Sequence, residues 1–196
     1  MKEIATGTTV RVFLQPIVGR PGATRRQSEQ EAVSAVLSAV LGPGARITHE
    51  ESGAPQIVSE SPAGHLPSPA DLSDPSDLSD PLPEISISHS TATAAIALAP
   101  RGTAFGIDIE APREQLRRVA SRLISPDDRL PDLDLFTLLR LWTAKEAVYK
   151  ALRASALPLD AIAVDLPAMH ATALGQTFAL HHYPLPGQLL TLARRL

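Results

Sequence analysis

Between Glu84 and Glu110 the apolar residues recur at every second position through EISISHS, TAAIALAP and TAFGIDIE, and from Leu135 to Arg153, in LFTLLRLWTAKEAVYKALR, they recur on a helical period. Side chains two apart share a strand face, and those three and four apart share a helix face, so the chain writes two incompatible periods and is neither all-α nor all-β. Three strand-like runs in close succession predict an antiparallel meander. The same change of period occurs earlier: Thr8 to Leu14 (TTVRVFL) reads as a strand, and Val33, Val36, Leu37, Val40 and Leu41 share one face of a helix that Gly42 is placed to stop. After Pro112 a helix follows with Leu116, Val119, Ala120 and Leu123 on one face, and beyond Pro158 the runs AIAVDL, TFALHHY and QLLTLA read as strands. The expected fold is α+β, two pseudo-symmetric lobes spanning 1–100 and 101–196.

Residues 61–83, SPAGHLPSPADLSDPSDLSDPLP, hold six prolines and a near-tandem DLSDP repeat. Such composition cannot bury enough apolar surface to offset chain entropy, so a mobile insertion in the first lobe is expected there. A net charge of -3 offers no general field for nucleic acid or anionic membrane, and no run approaches the roughly 18 apolar residues of a membrane span. Aromatic content of 4% and the lack of a basic stripe also argue against nucleic acid. With Cys at 0, thiolate chemistry and disulfides are excluded. The N-terminal MKEIATGTTVRVFLQP has no apolar signal-peptide core. A soluble, cytoplasmic chain is the expectation, and a monomer is the simpler oligomeric state for two lobes in one chain.

Asp108 and Glu110 in GIDIE point to one side of their strand, spaced roughly 6.6 Å along it. An acidic outer face is one reading of such a pair. The other is a hard divalent cation, which relieves their repulsion and takes oxygen ligands. In LWTAKEAVYKA, Trp142, Glu146 and Lys150 lie at i, i+4 and i+8, which fits a surface ion pair or a third acid for the same cation. His89 ends EISISH on the phase of Ile85 and Ile87, where a hydrogen-bonded core histidine and a phosphate contact with Ser88 are both open. Adjacent strand residues point to opposite faces, so His181 and His182 are not expected to chelate together.

Taken in order, ISHS at 87–90, GIDIE at 106–110 and LWTAKEAVYKA at 141–151 resemble the signature of the 4′-phosphopantetheinyl transferases of the surfactin-synthetase-activating type. The resemblance implies two related α+β halves with the active site between them. It also implies transfer of the phosphopantetheine arm of coenzyme A to a serine of an acyl or peptidyl carrier protein, with release of adenosine 3′,5′-bisphosphate. By that similarity Asp108, Glu110 and Glu146 would hold Mg²⁺, and Glu146 or a metal-bound water would be the base. Lys150 would compensate charge on the diphosphate, Ser88 and His89 would bind coenzyme A phosphate oxygens, and Arg25 and Arg26 would reach its 3′-phosphate. Lys145 would share the groove or face solvent. Arg113, Arg117, Arg118 and Arg122 would form a basic rim for an acidic carrier protein. One departure stands out: where the family carries Gly-Lys-Pro, this chain has Gly53-Ala54-Pro55. Two alternatives stay open, another Mg²⁺-dependent phosphoryl-group enzyme and a non-catalytic relative that binds coenzyme A or carrier protein.

Overall fold

A computed structural model describes residues 1–59, 82–154 and 156–196. The expected Pro/Ser/Asp-rich insertion lies, but for Leu82 and Pro83, outside the described residues. The fold is α+β, and the chain divides into two compact units, Met1–Thr103 and Ala104–Leu196. Among the described residues no helix is long and apolar enough to cross a membrane.

In the first unit an antiparallel sheet is built from β1 (Lys2–Ile4), β2 (Arg11–Pro16), β5 (Glu84–His89) and β6 (Thr93–Ala99), in the order β1-β2-β6-β5. Helix α1 (Arg25–Leu41) begins where Thr24 and Gln27 cap each other: Thr24 Oγ1 accepts from the Gln27 N–H at 3.2 Å and Gln27 Oε1 accepts from the Thr24 N–H at 2.6 Å. It ends at Gly42, whose φ of 95° a side chain would strain. Its buried face, Ala32, Val36, Leu37, Val40 and Leu41, packs on Phe13, Ile85, Ile96 and Leu98. Each valine, leucine, isoleucine or phenylalanine side chain so removed from water stabilises the unit by roughly 1.5–3 kcal/mol. A separate hairpin, β3 (Ala45–His49) with β4 (Pro55–Ser59), turns through Gly53 at φ 84°.

The second unit is a five-stranded antiparallel sheet ordered β7-β11-β10-β9-β8, from β7 (Phe105–Glu110), β8 (Ala163–Asp165), β9 (His170–Ala173), β10 (Gln176–Leu185) and β11 (Gln188–Arg195). This corrects the expected meander. β5 and β6 do form a hairpin, but β7 pairs with β11 from the far end of the chain, with Asp108 opposite Thr191. Helix α2 (Gln115–Leu123) buries Leu116 and Leu123, whereas Val119, expected on that face, is 36% exposed because a helix this short offers only a narrow contact stripe to its neighbour. Helix α3 (Leu135–Leu152) starts on Asp134, whose Oδ1 accepts from the Thr137 N–H at 2.7 Å. It lies across β7 and β11 and buries Leu141, Ala144, Ala147 and Val148 against Val164, Phe178 and Leu180.

Candidate active site

The site begins with the close approach of α3 to β7. Gly106 opens the GIDIE strand, and a β-carbon there would collide with the Ala147 carbonyl oxygen and lie 2.6 Å from the Ala151 backbone nitrogen. Without a side chain at 106 the helix rests directly on the strand, and residues from the two elements meet. Asp108, 4% exposed, faces the helix and accepts from Lys150 Nζ at 2.8 Å through Oδ1, while the same ammonium donates to the Ile107 carbonyl at 3.1 Å. Trp142, Glu146 and Lys150 thus present one helix row towards the strand acids.

Electrostatics tie the three carboxylates together. Glu146 is held above the ordinary carboxylate range first by burial, then by the negative charges of Asp108 and Glu110, with Lys150 partly offsetting them. Glu110 is raised by burial and by Asp108, against the pull of Arg113 and Lys150. Among the described residues no three His, Asp or Glu side chains are gathered into a ready-made metal cage. The acids repel one another within a half-buried corner instead, with Lys150 on Asp108 and Arg113 on Glu110.

Arg113 holds a different place from the one its sequence context implied. Its guanidinium lies 3.2 Å from Glu110 and 5.6 Å from the centre of the Trp142 ring, so it braces an acid and an aromatic face. The Trp142 N–H, buried without a hydrogen-bond partner among the described residues, draws the Glu110 carboxyl back down. Arg117 pairs with Glu114 at 3.1 Å, which leaves Arg118 and Arg122 as the exposed members of the expected basic rim that make no such carboxylate contact among the described residues.

Lys145 requires a correction. It faces neither a ligand groove nor solvent: its ammonium lies 2.8 Å from Asp128 Oδ2, and both side chains are wholly buried. Burial pushes the lysine down and Asp128 pushes it back. The Asp128 carboxylate is itself fully engaged, accepting from the Ser125 N–H and the Val164 N–H, each at 2.7 Å. A helical step separates Lys145 from Glu146, and that step carries the lysine into the core.

The remaining candidates belong to the first unit. Ser88 is buried at 6%, while His89 extends past the end of the core, exposed rather than buried on its apolar phase, with Nε2 3.5 Å from Glu29 Oε2. Glu29 also accepts from Arg25 Nε at 2.7 Å, and Arg25 reaches the Ser90 carbonyl at 3.5 Å. Arg26 and His89 line a cavity of about 690 Å³ whose apolar floor includes Val33, Leu37, Ile47 and Ile87. Glu29, Arg46 and His49 share that lining, and sequence reasoning missed them because none lies in a motif. The Gly53-Ala54-Pro55 departure is the tip of the β3–β4 hairpin, where the Glu50 N–H donates to the Ala54 carbonyl at 2.9 Å. In the second unit His182 Nδ1 meets Thr191 Oγ1 at 2.7 Å, and Thr191 meets Thr143 Oγ1 of α3 at 2.7 Å, which makes a polar chain from β10 to α3.

Residues 104–188 match the family model of the 4′-phosphopantetheinyl transferase superfamily. The matched segment holds β7 with its two acids and the whole of α3. The match is to the superfamily and singles out no type within it. No curated protein matches the chain.

Proposed function

We propose that the chain transfers the 4′-phosphopantetheine group of coenzyme A to a serine hydroxyl of an apo acyl or peptidyl carrier protein, in the manner of the surfactin-synthetase-activating type. The observation that carries the reading is the convergence of Asp108, Glu110, Glu146 and Lys150, from one strand and one helix, inside the segment that matches the transferase superfamily. Asp108, Glu110 and Glu146 are the residues that would hold a divalent cation such as Mg²⁺. The donor set fits: all are hard oxygen ligands, and the burial and mutual repulsion that raise Glu110 and Glu146 are what a divalent charge relieves. Bound there, the ion would offset the charge of the diphosphate.

The chain's own groups account for the rest of the transfer. The serine oxygen bonds to the phosphorus that carries the pantetheine arm, the bond from that phosphorus to the bridging oxygen breaks, and adenosine 3′,5′-bisphosphate leaves. Glu146 is the carboxylate assigned to take the serine proton. Lys150, held on Asp108 and only partly buried, presents its remaining N–H to the phosphate oxygens. Ser88, His89, Arg25 and Arg26 are assigned to the phosphates of coenzyme A, with Arg46 as the cation that stands in for the lysine absent at Ala54.

Intact mass spectrometry of apo acyl and peptidyl carrier proteins, incubated with this protein, coenzyme A and Mg²⁺, tests the proposal. The expected result is a carrier heavier by one phosphopantetheine. A panel of both carrier classes that stays unmodified rejects it.

A further inference from the structure

We infer that the buried Lys145–Asp128 pair is a positioning device: it sets the rotation of α3 about its own axis and so aims Glu146 at the acids of β7. The inference rests on reading those acids as the site.

The geometry of a helix makes the two directions inseparable. Consecutive residues point about 100° apart, so a setting that sends Lys145 into the core sends Glu146 and its row, Trp142 and Lys150, towards β7. The apolar stripe does not select that setting sharply. Leu138, Leu139, Leu141, Ala144, Ala147, Val148 and Ala151 are all buried, and a band this broad slides by tens of degrees at little cost in buried area. A charge without solvent is different, because it is tolerated in one orientation only. Lys145 finds its partner at 2.8 Å with neither side chain exposed, and any rotation of α3 strands an ammonium in the core.

Asp128 is anchored independently of the helix. Its two oxygens accept from the Ser125 N–H, beyond the end of α2, and from the Val164 N–H on β8, each at 2.7 Å. One carboxylate therefore fastens α3 to the sheet's edge strand and to the segment that descends from β7 through α2. Stability does not explain the pair, since apolar residues of the same volume commonly hold a core at least as well. Orientation does. A carboxylate standing off the helix axis moves on the order of 2 Å for a rotation of about 20°, and a misplacement of about 1 Å is enough to cost roughly 100-fold in rate.

The test compares Lys145→Met/Asp128→Asn, which removes both charges and keeps the shape, with Phe178→Leu, a truncation of the same core cluster. Two readouts are taken: turnover with a carrier protein, and acrylamide quenching of Trp142, the chain's single tryptophan and the residue one turn before Glu146. Expected for the pair variant is a folded protein with kcat lower by at least about tenfold, a KM for coenzyme A within about twofold, and a Trp142 that quenches more readily. Phe178→Leu, at a comparable loss of Tm, should keep kcat within about threefold and leave quenching unchanged. Unchanged Trp142 quenching in the pair variant overturns the inference, and so do equal kcat losses in the two proteins. Should the wild-type protein modify no carrier, the proposed function fails on its own and the quenching comparison decides the positioning role. Should the double variant not fold, Asp128→Asn carries the same two readouts.

Discussion

Lys150 and Asp108 form a charged link between α3 and β7: Nζ lies 2.8 Å from Oδ1, and the same ammonium caps the neighbouring Ile107 carbonyl at 3.1 Å. A cation held by a side chain and by the backbone is fixed in place while part of it stays accessible. Replacing it with Lys150→Met should lower kcat/KM for coenzyme A by roughly 10- to 100-fold, and Lys150→Arg should recover part of the loss. Stability should fall as well, because the Asp108 carboxylate, 6% exposed, loses its counter-charge. Steady-state kinetics beside a thermal melt separate the two effects.

Asp108→Asn and Glu146→Gln should each reduce turnover by roughly 10² to 10⁴ while the fold persists. In the wild-type protein Mg²⁺ should raise Tm through binding to the folded state, and chelation should reverse the rise. Neither variant should respond to the ion. A Tm that climbs equally with Mg²⁺ in wild type and Asp108→Asn places the ion elsewhere.

Glu110 and Glu146 are both raised from 4.5 in the fold, so the folded state binds their protons more tightly than the unfolded state does. The stability they contribute is complete below about pH 4.5 and is lost as pH rises through their raised folded values. Metal-free protein should show this downward slope above pH 4.5 in chemical denaturation, and Glu146→Gln should flatten it. Saturating Mg²⁺ should also flatten it.

His182 works in the opposite sense. Burial, with Arg140 and His181 nearby, pulls it from 6.5 down to about 4, so the fold holds it neutral. Its contribution is present above pH 6.5 and fades as pH falls towards 4. At full effect that is roughly 3 kcal/mol by order of magnitude. His182→Gln, which can still hydrogen-bond Thr191, should be less acid-sensitive than the wild type between pH 6.5 and 4, as read from denaturant midpoints. Parallel pH profiles would count against the buried neutral ring.

In the first unit, His89→Gln and Arg26→Gln should raise KM for coenzyme A by roughly 3- to 10-fold and leave KM for carrier protein unchanged, since both side chains line the polar-rimmed cavity. Ser34→Ala in the same lining serves as a control for a general loosening of α1. An equal rise in KM for both substrates contradicts the assignment to coenzyme A.

What was legible in the sequence was local. The two periods locate β7 and α3 because strand alternation and the helical stripe are written in adjacent residues, and the GIDIE and WTAKEAVYK motifs place three acids on those elements. What was not legible depended on partners far along the chain. β7 pairs with β11 because register is a property of two segments, and the EISISH and TAAIALA strands before it carry no record of which sheet it joins. Lys145 reads as a surface residue until Asp128 supplies a buried counter-charge. The short strand β9, HATA, has too few residues to show a period, and Arg113 reveals its stacking only once Trp142 arrives from another helix.

Gly106 shows where such a chain is least able to drift. At the acids, exchange of Asp for Glu at least keeps an oxygen donor, but at 106 the volume that any β-carbon needs is already filled by the backbone of Ala147 and Ala151. Every single-codon change there is a wedge between the two elements that bring the carboxylates together. The position of lowest mutational tolerance in the motif is therefore one that contributes no functional group, and inheritance of the site depends on the continued absence of an atom.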